Sequence, residues 1–274
     1  MGVPRRSTLV AMPVGSVDEL VALARASESI ASVLAAGDWY LLGSRGAGAA
    51  DDLSDWDTVL LTESDAEHED VPREVLDAAF AVSRPAVQGT PDLALHVRWR
   101  RAAGVDLQVV GPAGRLARER DLPSVWAHEL RHAVPLWLAA GIGEPYRAHV
   151  ADLFALRSPE LARRAHREFR TSRNEAVACL PRADHAAQAL TAAACVGWAA
   201  RHRLLADGVP HPSDKWLLRV LERCPGASSL LPAMRVAVDL RHEPAVRFEA
   251  LRRLWELVDD HALGTGTLSP AWPG

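Results

Sequence analysis

The segment made of residues 39–61 constrains the fold of this 274-residue chain more than any other part of the sequence. It begins with an apolar run of strand length, residues 39–42, which ends at Gly43 and Ser44. An Asp-Trp-Asp triplet follows after a stretch rich in Gly and Ala, and it leads into a second apolar run, residues 58–61. Apolar and β-branched residues favour strands, so the segment predicts two strands joined by a short connection.

The triplet places Asp55 and Asp57 on one face of the second strand and Trp56 on the other, because successive strand side chains alternate. Two neighbouring carboxylates repel each other unless a cation lies between them. Carboxylate oxygens suit a hard cation such as Mg²⁺, which proteins bind through one or two carboxylates together with substrate phosphates. The pair is therefore a candidate metal site. The alternative is a loop that Asp55 only caps or turns.

The order of these features resembles the nucleotidyltransferase superfamily, whose minimal domain is shared with DNA polymerase beta. The resemblance rests on the apolar strand, the Gly-Ser turn, the spacing, and an Asp-x-Asp that precedes a second apolar strand. It implies that Gly43, Ser44 and the adjacent Arg45 bind the triphosphate of a nucleotide. It also implies that Asp55 and Asp57 bind two Mg²⁺ ions, and that ATP or another nucleoside triphosphate is the donor.

A third carboxylate, Asp106, stands at the start of an apolar strand. Two alternating runs, residues 93–101 and 105–110, are joined by a short Gly-containing turn, which predicts a β-hairpin. Burying a carboxylate without a partner costs free energy, and a bound metal ion would offset that cost for Asp106. In the family that the chain resembles, a third carboxylate on a later strand completes the metal site. We assign that role to Asp106, which could also accept a proton from the acceptor hydroxyl; an exposed strand-start Asp is the alternative.

The second half of the chain has apolar residues at three- and four-residue spacing, which predicts helices. We place a domain boundary between residues 1–140 and 141–274. The predicted fold class is α+β, with an N-terminal nucleotidyltransferase domain (a short mixed sheet with helices) and a C-terminal all-helical bundle. A capping box at Ser16 and Glu19 predicts a helix that runs to about Ala36, and residues 72–83 predict a short helix. The later predicted helices cover residues 113–120, 126–132, 145–156, 159–178, 182–206, 214–223, 229–240 and 244–262.

Composition narrows the classes of partner. The net charge of −4 does not indicate a stable nucleic-acid partner, because such proteins usually present a basic face. The sequence has no apolar run of about eighteen residues, so we expect no membrane span. Three widely spaced cysteines form no disulfide framework and predict a reducing, cytoplasmic location. We expect a monomer or a homodimer.

Lys215 is the one lysine among 31 basic residues, the other 30 being arginine. Because arginine occupies all other basic positions, this single lysine indicates a site where Lys and Arg are not interchangeable. The segment Pro212-Ser-Asp-Lys-Trp-Leu resembles one in the helical domain of two-domain nucleotidyltransferases that modify aminoglycosides, lincosamides and related small molecules. That resemblance implies a small-molecule hydroxyl acceptor. We expect Lys215 to contact the β- or γ-phosphate of the nucleoside triphosphate; chance retention of one Lys is the alternative.

Other functions stay open at the level of the sequence. The chain could be a non-catalytic nucleotidyltransferase fold, or a toxin-type enzyme that acts on RNA or protein. His128 and His132 complete a His-Glu-x-x-His pattern, which occurs in zinc hydrolases. Pro135 follows closely, and no third ligand stands in a recognisable motif. The basic segment 160–175 predicts either a wall that faces an anionic substrate or a solvated helix with Glu/Arg pairs.

Overall fold

The computed structural model describes residues 12–26, 31, 34–52, 54–63, 80–82, 94–99, 102–103, 105–122, 124–179 and 184–268. Its contacts divide the chain into two compact units, unit 1 (residues 1–151) and unit 2 (residues 152–274). The boundary predicted at residues 140/141 lies earlier in the chain. The division by contacts instead falls inside a long helix, Gly143–Cys179.

Strands and short helices alternate in unit 1, whereas the described part of unit 2 is helical. The elements of unit 1 are β1 (Met12–Pro13), α1 (Val17–Arg25), β2 (Gly37–Leu41), α2 (Gly43–Gly46), β3 (Trp56–Thr62), β4 (Phe80–Val82), β5 (Ala94–Trp99), β6 (Ala102–Ala103), β7 (Val105–Val110), α3 (Pro112–Asp121), α4 (Ser124–His132), β8 (Val134–Leu138) and the start of α5 (Gly143–Cys179). Unit 2 continues α5 and adds α6 (His185–Ala206), a 3₁₀ turn (Asp214–Trp216), α7 (Leu217–Glu222), a 3₁₀ turn (Ala227–Ser229), α8 (Leu231–Val238) and α9 (Pro244–Gly264). The predicted α+β fold class is confirmed.

The sheet of unit 1 has the strand order β4-β5-β7-β3-β2-β8 in the described part of the chain. Strands β3 and β7 run parallel, and the other neighbours run antiparallel, so the predicted mixed sheet is confirmed. Strands β5 and β7 pair as the predicted hairpin. The predicted capping box also forms, because the Glu19 N–H donates to Ser16 Oγ at 3.2 Å. The predicted end of this helix near Ala36 is wrong, since α1 ends at Arg25.

The core of unit 1 joins one face of the sheet to α1. Every second residue of the central strands points into it, as strand alternation requires. The strand residues of this core are Trp39 and Leu41 on β2, Trp56 and Leu60 on β3, and Val105, Leu107 and Val109 on β7. Trp56 is fixed further by a hydrogen bond from its Nε1 to the Val14 carbonyl at 3.0 Å. Asp57 and Asp106 therefore leave the sheet on the opposite face.

Unit 2 has its own core, which lies between its long helices. Phe169 of α5, Met234 of α8 and Leu254 of α9 are fully buried in it, together with a row of small residues on α6. Among the described residues, no helix combines the length and the apolar character that a bilayer crossing requires.

Strand β8 was not predicted from the sequence, where Pro135 indicated only a boundary. The strand lies at one end of the described sheet order and pairs antiparallel with β2, with Pro135 opposite Tyr40. Proline cannot donate to a strand ladder, but at a sheet edge its missing N–H can face away from the neighbouring strand. The edge position therefore tolerates a residue that a central strand would exclude.

The two helices predicted over residues 145–156 and 159–178 form one helix, α5, with Pro159 in its interior. Proline removes the N–H that would bond to the Ala155 carbonyl one turn earlier. The Ser158 hydroxyl donates to that carbonyl at 3.2 Å and satisfies it instead. The short helix predicted over residues 72–83 is wrong at residues 80–82, which form β4, and its other residues lie outside the described part of the chain.

A buried carboxylate, Asp38 on β2, organises the turn that leads from β8 into α5. Its Oδ1 accepts the N–H groups of Ala139, Ala140 and Gly141 at 2.8, 2.9 and 3.1 Å, and its Oδ2 accepts that of Gly143 at 2.7 Å. Burial alone would raise the pKa of Asp38, but the four backbone donors outweigh it and hold the pKa below its ordinary value.

We expect Asp38→Asn to destabilise unit 1 by about 2–4 kcal/mol, because an amide cannot accept all four buried N–H groups. Asp38 has a lowered pKa in the folded state, so its contribution is present above the ordinary value of 3.8 and is lost as the pH falls below it. Urea unfolding at several pH values measures both effects, with the exposed Asp121→Asn as control. Equal unfolding midpoints for Asp38→Asn and the wild type at pH 7 would contradict this role.

Candidate active site

The Gly-Ser turn between β2 and α2 touches the carboxylate of Asp57. Gly43 has a φ of +61°, a conformation that favours glycine. The N–H of Leu42 donates to the Asp57 carbonyl at 2.7 Å, which draws the turn against β3. A Cβ atom on Gly43 would overlap Asp57 Oδ2. Glycine is therefore the residue that lets the backbone of this turn approach the carboxylate so closely.

Arg45 ties α2 to the chain that precedes the Asp pair. Its Nε and Nη2 donate to the Ser54 carbonyl at 3.1 and 2.8 Å, and its guanidinium lies 4.2 Å over the Trp56 ring. Ser44, beside it, is buried. Arg45 thus holds the backbone immediately before Asp55. The predicted contacts of Ser44 and Arg45 with a triphosphate stay predictions.

Asp57 and Asp106 are direct partners in the register of the parallel strands β3 and β7. Both side chains are half-buried. Neighbouring strands lie about 4.8 Å apart, so the two carboxylates leave the sheet side by side on the same face. Asp55 comes two residues before Asp57, just outside β3, and is exposed. The structure therefore brings two of the three predicted ligands onto adjacent strands and leaves the third at the strand entrance.

The chemistry of this donor set suits Mg²⁺, which prefers carboxylate oxygens. However, in the ranges that the structure describes, no group of three or more His, Cys, Asp or Glu side chains is arranged to hold a metal ion. Asp57 and Asp106 supply oxygens near the start of the central strands β3 and β7, and Asp55 supplies them just before β3. Their assignment as metal ligands stays a prediction.

Glu129 of α4 is a further carboxyl group that interacts with Asp57. The sequence suggested it only as the base of the zinc-hydrolase alternative. Burial raises the pKa of Glu129 to about 7, the Asp57 carboxylate adds to the increase, and Arg118 opposes it. Helix α4 reaches this position because α2 packs closely on its end: a Cβ on Gly46 would lie 3.1 Å from the His132 carbonyl. These elements are distant in sequence, and the His-Glu-x-x-His pattern marks Glu129 only for a zinc site, so no local pattern predicts its position beside Asp57.

Arg118 of α3 brings positive charge to the same side of the sheet. Its Nη2 donates to Gln108 Oε1 at 3.2 Å, and its guanidinium lies 4.1 Å over the Trp126 ring. Gln108 follows Asp106 by two residues on β7, so both side chains share one strand face. The site therefore combines carboxylates with the Arg118 guanidinium, which is fixed by a hydrogen bond and by ring stacking.

The zinc-hydrolase alternative gains no support from the geometry of α4. His128 is buried and His132 is exposed, with their ring centroids 4.7 Å apart. No third His, Cys, Asp or Glu completes a metal-binding group with them among the described residues. The two histidines therefore lack the closed ligand set that such an enzyme requires.

Lys215 lies in unit 2, in the 3₁₀ turn Asp214–Trp216, and is exposed. Its Nζ is 5.6 Å from the centroid of the Trp216 ring, over which the Arg219 guanidinium also lies at 4.7 Å. Asp214 forms an ion pair with Arg201. The predicted contact of Lys215 with a phosphate stays a prediction.

No protein-family model and no curated protein matches the chain. Among solved structures, the chain is similar to a nucleotidyltransferase-like protein from Exiguobacterium sibiricum, with a TM-score of 0.47 and 13% sequence identity. The match covers 89% of this chain and 77% of that chain.

We expect Glu129→Gln to stabilise unit 1 at alkaline pH and to leave it unchanged in acid. The pKa of Glu129 rises on folding from 4.5 to about 7, so its contribution is fully present below pH 4.5 and is lost as the pH rises through about 7. Near pH 8 the free energy of unfolding of the variant should therefore be about 1–3 kcal/mol higher than that of the wild type.

Urea unfolding in EDTA at pH values from about 4.5 to 8 measures this difference, since EDTA removes any ion that would stabilise the carboxylate. The exposed Glu63→Gln is the matched control and should unfold like the wild type at every pH. If the difference in free energy of unfolding between Glu129→Gln and the wild type is constant across this pH range, burial does not raise the pKa of Glu129.

Proposed function

We propose that the carboxylate face of unit 1 is the active site of a Mg²⁺-dependent nucleotidyltransferase. It would transfer a nucleoside monophosphate, AMP from ATP, to a hydroxyl group of a small molecule and release pyrophosphate. The contact between Gly43 and the Asp57 carboxylate carries this proposal, because it brings a glycine turn directly against a strand carboxylate whose register partner is Asp106. A turn of this kind can accept a triphosphate next to the group that binds its metal ion.

Each residue has a distinct part in the proposed reaction. Asp55, Asp57 and Asp106 would hold Mg²⁺, which when bound supplies charge stabilisation at the phosphoryl oxygens. Gly43 and Ser44 would face the triphosphate of the donor. Arg45 would keep the Asp55 segment in place through its two hydrogen bonds to the Ser54 carbonyl.

The acceptor hydroxyl must lose a proton when it attacks the α-phosphate. Asp106 is one candidate for the proton acceptor because it is next to Asp57 in the strand register. Glu129 is a second candidate, because burial raises its pKa to about 7 and a general base works best when its pKa is near the working pH. The resemblance of the Lys215 segment favours an antibiotic or a related metabolite as the acceptor.

The first test is the loss of transfer in Asp57→Asn and Asp55→Asn, followed as pyrophosphate release from nucleoside triphosphates with a panel of hydroxylated small molecules. We expect a decrease of about 100-fold or more in both variants and in EDTA, because a metal-bound substrate loses its alignment. Without metal, Asp57→Asn should be at least as heat-stable as the wild type, since a carboxylate repulsion is removed.

Asp52→Asn is the matched control, since Asp52 is an exposed acid in the same connection and has no proposed role. It should keep full turnover. Near-normal turnover of Asp57→Asn would overturn the metal assignment. Pyrophosphate release that persists in EDTA would overturn the Mg²⁺ dependence.

Lys215→Ala should weaken nucleotide binding by about tenfold, and Lys215→Arg should restore it only in part, because a guanidinium does not replace a compact ammonium at a tight phosphate contact. Arg219→Ala is the control, because Arg219 lies over the same Trp216 ring. Calorimetric titration with a non-hydrolysable nucleotide measures all three. Unchanged affinity of Lys215→Ala would remove Lys215 from the site.

A further inference from the structure

The charge of the chain is divided unequally between its two units. Unit 1 has 14 Lys and Arg against 21 Asp and Glu, which gives −7, whereas unit 2 has 17 against 14, which gives +3. The net charge of −4 therefore averages an acidic unit with a basic one. Binding responds to the local electric field and not to the total charge. A polyanion can therefore bind unit 2 although the net charge of the whole chain is negative.

Three arginines of unit 2 lie on one face of α5. Arg163, Arg167 and Arg170 follow each other at helical spacing, and Thr171 and Asn174 continue the same face. We call these five residues the arginine row. All are exposed except Arg170, which is half-buried. At a rise of about 1.5 Å per residue, the row is about 16 Å long.

The two exposed arginines of the row are not neutralised by neighbouring acids. In the described part of the chain, Arg163 and Arg167 form no ion pair, although Glu160 lies one turn before Arg163. Arg170 differs, because it interacts with the Asp259 carboxylate. The alternative predicted for this helix, Glu/Arg pairing along a solvated surface, therefore does not describe Arg163 and Arg167.

Other exposed arginines of unit 2 do have acidic partners. Arg235 pairs with Glu222, and Arg252 pairs with Glu249 at 2.6 Å and with Glu256. Unit 2 therefore contains acids in positions to neutralise surface arginines, whereas Arg163 and Arg167 form no ion pair within the described residues. The charges of Arg163 and Arg167 are therefore available to an external anion.

The composition of the row indicates the chemistry of that anion. Proteins contact the phosphate oxygens of nucleic acids with side chains that carry guanidinium, hydroxyl or amide groups. Between Arg163 and Asn174, α5 has no exposed apolar side chain, whereas the centre of a protein–protein interface is usually apolar. The aromatic residue in this stretch, Phe169, is fully buried and cannot stack on an unpaired base. Phosphate contact without stacking is typical of binding to a double helix.

We propose that the arginine row of α5 is a docking surface for the phosphate backbone of a double-stranded nucleic acid, bound without sequence preference. Arg163 and Arg167 supply the charge, and Thr171 and Asn174 supply neutral donors further along the same backbone. This proposal concerns unit 2 alone and does not depend on the reaction proposed for unit 1.

Fluorescence anisotropy of a labelled duplex of about 20 base pairs, measured with the full chain from about 50 to 200 mM salt, tests this proposal. We expect weak binding at low salt and a slope of log K against log salt of about −2 to −3, since each phosphate contact on a duplex contributes about −0.9. The double variant Arg163→Gln/Arg167→Gln should lose about tenfold in affinity, and its slope should shrink by about 2.

The double variant Arg235→Gln/Arg252→Gln is the matched control, because it removes the same charge from paired arginines of the same unit. It should bind within about twofold of the wild type. Circular dichroism melting shows whether each variant keeps its fold. Three results would overturn the proposal: no duplex binding at low salt, an equal loss in the control variant, or binding to a labelled polyglutamate with the same dependence on Arg163 and Arg167 while the duplex does not bind.

Discussion

The register of β3 between its two neighbours is the constraint on which the candidate site depends. Its antiparallel pairing with β2 sets Thr58 opposite Leu41, and its parallel pairing with β7 sets Asp57 opposite Asp106. A slip of one residue would exchange the two faces of the strand. Trp56 would then leave the core and Asp57 would enter it, so the packing of Trp56 is what directs Asp57 to the site.

Local contacts reinforce that register at the end of the strand where the site lies. The Leu42 N–H bonds to the Asp57 carbonyl, and Arg45 bonds to the Ser54 carbonyl while it stacks on Trp56. The glycine turn and the carboxylates thus depend on one another through the backbone. A change at Gly43 would disturb Asp57 directly, because there is no room for a Cβ between them.

The sequence predicts the parts of this site that local patterns encode. The alternation of side chains on β3 and the hairpin of β5 and β7 were enough to predict that Asp57 and Asp106 lie on strands of one sheet. The α+β class followed from the change to helical spacing in the second half of the sequence. Glu129 could not be found in this way, because its raised pKa depends on burial and on Asp57, which only the fold brings near. Strand β8 and the unbroken helix α5 were missed because an edge position and a Ser158 hydrogen bond offset the usual effects of proline.

The central claim is that Asp57 and Asp106 share a divalent ion with a nucleotide held at the Gly-Ser turn. Electron paramagnetic resonance of Mn²⁺, titrated with and without a non-hydrolysable ATP analogue, measures this binding directly. We expect Mn²⁺ binding that the analogue strengthens. Asp57→Asn and Asp106→Asn should each abolish this binding, and Asp52→Asn should retain it. Mn²⁺ binding that both strand variants keep, or a wild-type protein that binds no Mn²⁺ even with the analogue, would contradict it.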